Sequence, residues 1–160
     1  MLKSLALAIS AVTLASAAAA DPAGPEDVVA LLQSMDSTNI ATEWVDDATV
    51  RIDANREGYN FTFRLMDCNA EERCVSNMLF ATFDMPGAPG IDDYIKINEY
   101  NDNYPFGRAF LISSESDEDG YVIGVDYAFI TADENKIGEE EVKFFFVILN
   151  SFVSHMQEEG

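Results

Sequence analysis

The stretch from Tyr59 to Phe83 constrains the fold more than any other part of the chain. Tyr59, Phe61, Phe63 and Leu65 alternate with Asn60, Thr62 and Arg64, the pattern of a strand with one buried and one wetted face. A polar loop containing Cys68 and Cys74 follows. Val75 to Phe83 is then apolar on both alternating sets, as expected of a central strand. Two neighbouring strands joined by so short a loop form an antiparallel hairpin. A bridge between Cys68 and Cys74 would clip its mouth, and an even cysteine count favours a structural disulfide over a redox pair. The spacing is not C-x-x-C, and no adjacent His or Lys is present to lower a thiol pKa.

Around this hairpin the pattern predicts an α+β domain. Pro25-Glu26-Asp27 opens a helix, with Val28, Leu31, Leu32 and Met35 at helical spacing. The period loosens over 36–42 and falls towards two from Trp44 to Asp53, with Val50 and Ile52 inward. Pro86, Gly87, Pro89 and Gly90 end the strand that follows the cysteine loop. Ile91 to Asn101 reads as a short helix with Ile91, Tyr94, Ile95 and Asn98 on one face. Strands at Arg108 to Ser114 and Tyr121 to Ile130 come next, then a last helix from Gly138 to about Met156. The order is αβββαββα, a single domain with an antiparallel sheet of about five strands and three helices.

Residues 1–20 have the layout of a cleavable signal peptide: Lys3, an apolar run from Leu5 to Leu14, and Ala18-Ala19-Ala20 before Asp21. The run is too short for a lasting bilayer span. The expected mature domain is 21–160, periplasmic or secreted. No later stretch reaches transmembrane length. The formal net charge of −20, one unit more negative without Lys3, repels phosphate backbones and argues against nucleic acid as a partner.

The final helix carries Val142, Phe145, Leu149, Phe152 and Met156 at alternating spacings of three and four, and Phe144, Phe146, Val147, Ile148 and Val153 spread its apolar surface further. Such a helix is either deeply buried or shared with a partner, which makes it a candidate homodimer surface.

The Asp67-Cys68…Cys74 pair, Ile97-Asn98-Glu99-Tyr100-Asn101 and Phe106-Gly107-Arg108-Ala109 together resemble the YbjN-like family of bacterial proteins, with Tyr100 in place of the tryptophan of its I-N-x-W-N segment. The resemblance implies a sensory transduction regulator with a fold similar to type III secretion chaperones, proteins that hold other polypeptides. It supplies no catalytic residues. Asn98 is expected to tie its helix to neighbouring backbone and Asn101 to help end that helix. A cross-strand pair between Arg108 and Asp126 is expected if the hairpin register places them opposite.

Chemistry-bearing constellations are sparse. His155 is the only histidine and no G-x-S-x-G turn accompanies it, so no triad is expected. The acidic segment Glu115 to Gly120, with Asp126 as closing carboxylate, departs from a calcium loop in two positions and in its flanking strands, and reads as a hairpin tip. Neither metal nor cofactor is expected. Two function classes follow. The preferred one is an exported, non-enzymatic domain that binds a protein partner through its sheet or final helix. The alternative is a small periplasmic hydrolase using a carboxylate pair, although 29 acids generate such pairs by coincidence.

Overall fold

The computed structural model describes residues 23–113, 120–131 and 137–158; the expected signal peptide and most of the acidic turn lie outside these. Its elements are α1 (Pro25–Ser34), β1 (Thr38–Asp46), β2 (Thr49–Arg56), β3 (Tyr59–Cys68), β4 (Cys74–Met85), α2 (Ile91–Asn103), β5 (Arg108–Ser113), β6 (Tyr121–Ile130) and α3 (Glu139–Gln157). The strands form one antiparallel sheet in the order β1-β2-β3-β4-β6-β5. The α+β expectation holds, with six strands instead of about five.

The extra strand arises because the stretch from Trp44 to Asp53 is folded in two. Asp46 accepts a hydrogen bond from the Ala48 amide at 2.8 Å, a local side-chain bond that favours a turn, and β2 starts at Thr49. β1 is exposed along nearly its whole length. A strand with neither face buried carries no alternation, so its pattern looks like loosened helix. The next turn is more explicit: Glu57 at φ 55° and Gly58 at φ 87° join Arg56 to Tyr59, a two-residue connection with both central residues left-handed.

The three helices share one start signal. Gly24, Gly90 and Gly138 each donate their amide to the carboxylate three residues on, Asp27, Asp93 and Glu141. This is the carboxylate half of a capping box, with the acid also placed at the positive end of the helix dipole.

All three helices pack on the same side of the sheet. Val50, Ile52 and Ala54 of β2, Phe61, Phe63 and Leu65 of β3, Leu79 and Ala81 of β4 and Ile123 and Val125 of β6 are buried under them. Phe61 meets Phe145 and Phe146, and Phe83 meets Phe152. The opposite face of the sheet has no helix over it among the described residues.

Candidate functional site

Two of the three segments that carry the family resemblance, 97–101 and 106–109, converge on one joint between α2, α3, β5 and β6. Tyr100 is fully buried and donates its hydroxyl to the Ile148 carbonyl of α3 at 3.2 Å. Its ring stacks on Tyr104 and meets Phe152 edge-on. Burial, helped by neighbouring Tyr104, pushes its pKa up to about 12. Gly107 sits at φ +81°, and a Cβ there would stand 2.5 Å from Ile148 Cγ2; only glycine combines that backbone with that approach.

Asn101 grips a single residue twice. Its Oδ1 accepts from the Ala109 amide at 2.8 Å and its Nδ2 donates to the Ala109 carbonyl at 3.0 Å. β5 is a sheet edge, so this amide imitates the missing neighbour strand at that point. Asn101, and not Asn98, therefore ties α2 to neighbouring backbone. Asn98 is exposed, as are Ile91, Tyr94 and Ile95 on its expected face. The helix lies instead on Ile97 and Tyr100. Two apolar stripes run along α2, and contact with α3 and β5 selects the second.

The α3 stripe also ends up elsewhere than expected of a dimer surface. Val142, Phe145, Leu149 and Phe152 are buried within the chain and Met156 is half-buried. The surplus aromatics find intramolecular partners as well: Phe144 meets Phe106 and Tyr127, and Phe146 lies under the Arg56 guanidinium. Val147, at 60% exposure, is the large apolar residue of α3 left to solvent. Self-association through the stripe would require unpacking the domain core. His155 serves the same interior, its Nε2 2.9 Å from the Lys96 carbonyl.

Cys68 and Cys74 are opposed across β3 and β4 and joined in a disulfide. The loop they close is further held by Asn69, whose Oδ1 accepts from the amides of Glu71 and Arg73. Among the described residues no group of three or more His, Cys, Asp or Glu side chains could hold a metal. Most of the acidic turn falls outside them.

The open face of the sheet carries exposed apolar side chains. Register places Arg108, Phe110 and Ile112 of β5 opposite Asp126, Gly124 and Val122 of β6. Phe80 and Met78 of β4 stand beside Asp126 and Ala128, and Arg64 of β3 beside Met78. Together these shape a groove of about 450 Å³. Gly124 lies beneath the Phe110 ring that lines the groove: a Cβ there would lie 2.5 Å from that ring and 2.6 Å from the Ala81 carbonyl. Ile112 is 59% exposed and Ile130, farther along the same face, 75%. These apolar side chains lie exposed on an otherwise strongly acidic protein.

Two arginines border the groove in different states. Arg108 donates through Nε (3.2 Å) and Nη2 (2.5 Å) to Oδ2 of Asp126, and that carboxylate raises the guanidinium pKa. Arg64 lays its guanidinium over Phe80, 5.2 Å from the ring centroid. Its Nε is buried and has no hydrogen-bond partner. Sequence reasoning missed Arg64 because it reads as an ordinary outward residue of an alternating strand.

No curated protein and no solved structure matches the chain. A family model does match, over residues 26–149, described as YbjN, "Putative bacterial sensory transduction regulator". That span runs from the first turn of α1 into α3 and takes in the whole groove and both α2 and β5 of the joint. The chain belongs to the YbjN family.

Proposed function

We propose that the protein is an exported, non-enzymatic regulatory domain that holds a polypeptide partner on the open face of its sheet. The observation that carries this reading is the uncovered apolar groove bounded by Met78, Phe80, Phe110 and Ile112. A two-layer domain that needed this face only for its own stability would have polar residues there. The regulator description of the family supports a role in binding. Export is supported by the N-terminal leader pattern and by the Cys68–Cys74 disulfide, which suits an oxidising compartment.

The test uses the full-length chain with a C-terminal tag, expressed in its native cells and cross-linked before capture. Ile112→Glu should abolish the captured partner, whereas Val147→Glu on α3 should leave capture intact. Equal capture by both variants would place the binding surface elsewhere. Cell fractionation tests export separately, the expected location being outside the cytoplasm.

A further inference from the structure

Arg64 is the odd member of the described arginines. Arg51 is paired with Asp53 and Glu43, Arg56 with Glu57, Arg73 with Asp27 and Arg108 with Asp126. Arg64 alone has no carboxylate within ion-pair distance among the described residues. The chain has 29 acids against 9 basic residues, so an arginine without a counter-charge is unusual here on composition alone. Its position adds to this. Register sets Arg64 directly opposite Arg51, and like charges facing each other across strands are unfavourable. Asp53 is no relief for Arg64, since it is engaged by Arg51 at Oδ2 and by the Thr62 hydroxyl at Oδ1. A buried, unpartnered guanidinium nitrogen is also costly. The charge imbalance at this side chain is relieved if a carboxylate arrives from outside and meets the guanidinium.

We infer that the groove takes an apolar polypeptide segment of a partner protein bearing one carboxylate side chain, which pairs with Arg64; this rests on the docking reading above. The apolar part of the segment lies over Phe80, Phe110 and Ile112, and the carboxylate reaches the guanidinium at the β3 side. Arg108 does not compete for it, because Asp126 already neutralises that side chain. A partner rich in acids would be repelled by the chain as a whole. The occupant therefore combines a single acid in its docked segment with neutral or basic flanks. Arg64 sets specificity by rejecting segments that leave its guanidinium unpaired.

Two synthetic peptides test this. Each is N-acetylated and C-amidated, with a leucine–phenylalanine–X–phenylalanine–leucine core between lysine pairs. X is glutamate in one and glutamine in the other. On the intact protein, fluorescence anisotropy should show the glutamate peptide binding about tenfold more tightly, with the advantage shrinking as salt is raised. Arg64→Met, which keeps the stem over Phe80, should bring the two peptides to equal affinity. Equal affinities on the unaltered protein would overturn the carboxylate preference and leave groove binding standing. Failure of both peptides to bind, or binding unaffected by Ile112→Glu, would overturn the groove as the docking site.

Discussion

Arg108 and Asp126 stand directly opposite each other on β5 and β6, with the guanidinium side chain 69% exposed and the carboxylate side chain only 8%. The pair is therefore asymmetric. Removing the arginine leaves a buried charge without its donors, whereas removing the aspartate leaves a cation that water can solvate. Arg108→Ala should cost about 2 kcal/mol, and Asp126→Ala appreciably less. In the double variant the arginine's loss should add little, because no orphaned carboxylate remains. Urea denaturation of the four proteins measures this directly, and additive losses would count against the coupling.

Asn101 gives a prediction with two readouts. Asn101→Ala removes both hydrogen bonds to Ala109 and should destabilise the fold by about 1–3 kcal/mol. It also leaves a bare amide and carbonyl on the β5 edge, which invites pairing with another chain. Thermal melts should shift downward, and light scattering should detect new self-association. Asn98→Ala, an exposed position, should do neither.

Tyr100 makes stability depend on pH at the alkaline end. The folded protein holds its hydroxyl neutral to about 12, while the unfolded chain ionises near the ordinary tyrosine value of about 10. The unfolded state thus loses its proton first as pH rises. This stabilising contribution is complete below pH 10 and disappears progressively between about 10 and 12. Tyr127 and Tyr121, both shifted upward by burial, add to the same trend. Denaturation midpoints measured from pH 8 upward should fall above 10, less steeply in Tyr100→Phe.

Why some of this was readable from sequence, and some was not, follows from what a pattern can encode. β3 buries one face, so its side chains alternate and its limits come out within a residue. β1 buries neither face and leaves no period to read. α2 carries both the Ile91/Tyr94/Ile95 stripe and the Ile97/Tyr100 stripe, and nothing local says which one meets α3. The case of β4 is the most instructive for function. Apolar residues on both of its faces suit a strand covered on two sides, yet the helices cover only one. The second apolar set is the groove. Periodicity identifies hydrophobic faces but cannot say whether the protein itself provides the cover. Arg64 escapes for a related reason: its lack of a partner is a property of the space around it.

Gly124 links the fold to the groove. A side chain there meets both the Phe110 ring and the Ala81 carbonyl at about the distances given for a bare Cβ, 2.5 and 2.6 Å. The ring can rotate away, but the backbone carbonyl of the central strand cannot. Gly124→Ala should therefore lower stability by about 1–3 kcal/mol and weaken partner capture further than stability alone explains. Phe110→Ala separates the two effects, since it clears the ring while leaving β4 undisturbed. It should reduce binding with a smaller loss of stability.

The disulfide should contribute less than its position suggests. A loop of this size, with six residues of sequence separation between Cys68 and Cys74, is worth about 2 kcal/mol of unfolded-state entropy. The folded loop does not depend on it alone, because Asn69 already binds the amides of Glu71 and Arg73 and its own amide donates to the Arg73 carbonyl. The Cys74 amide, moreover, donates to the Ala23 carbonyl, anchoring the chain ahead of α1 whatever the redox state. A double Cys68→Ser, Cys74→Ser variant should thus lose about 2 kcal/mol or less in urea denaturation and keep both its sheet and its binding. Adding Asn69→Ala to that variant removes the second closure and should expose the full cost, with the β3–β4 amides nearest the loop losing hydrogen-exchange protection first.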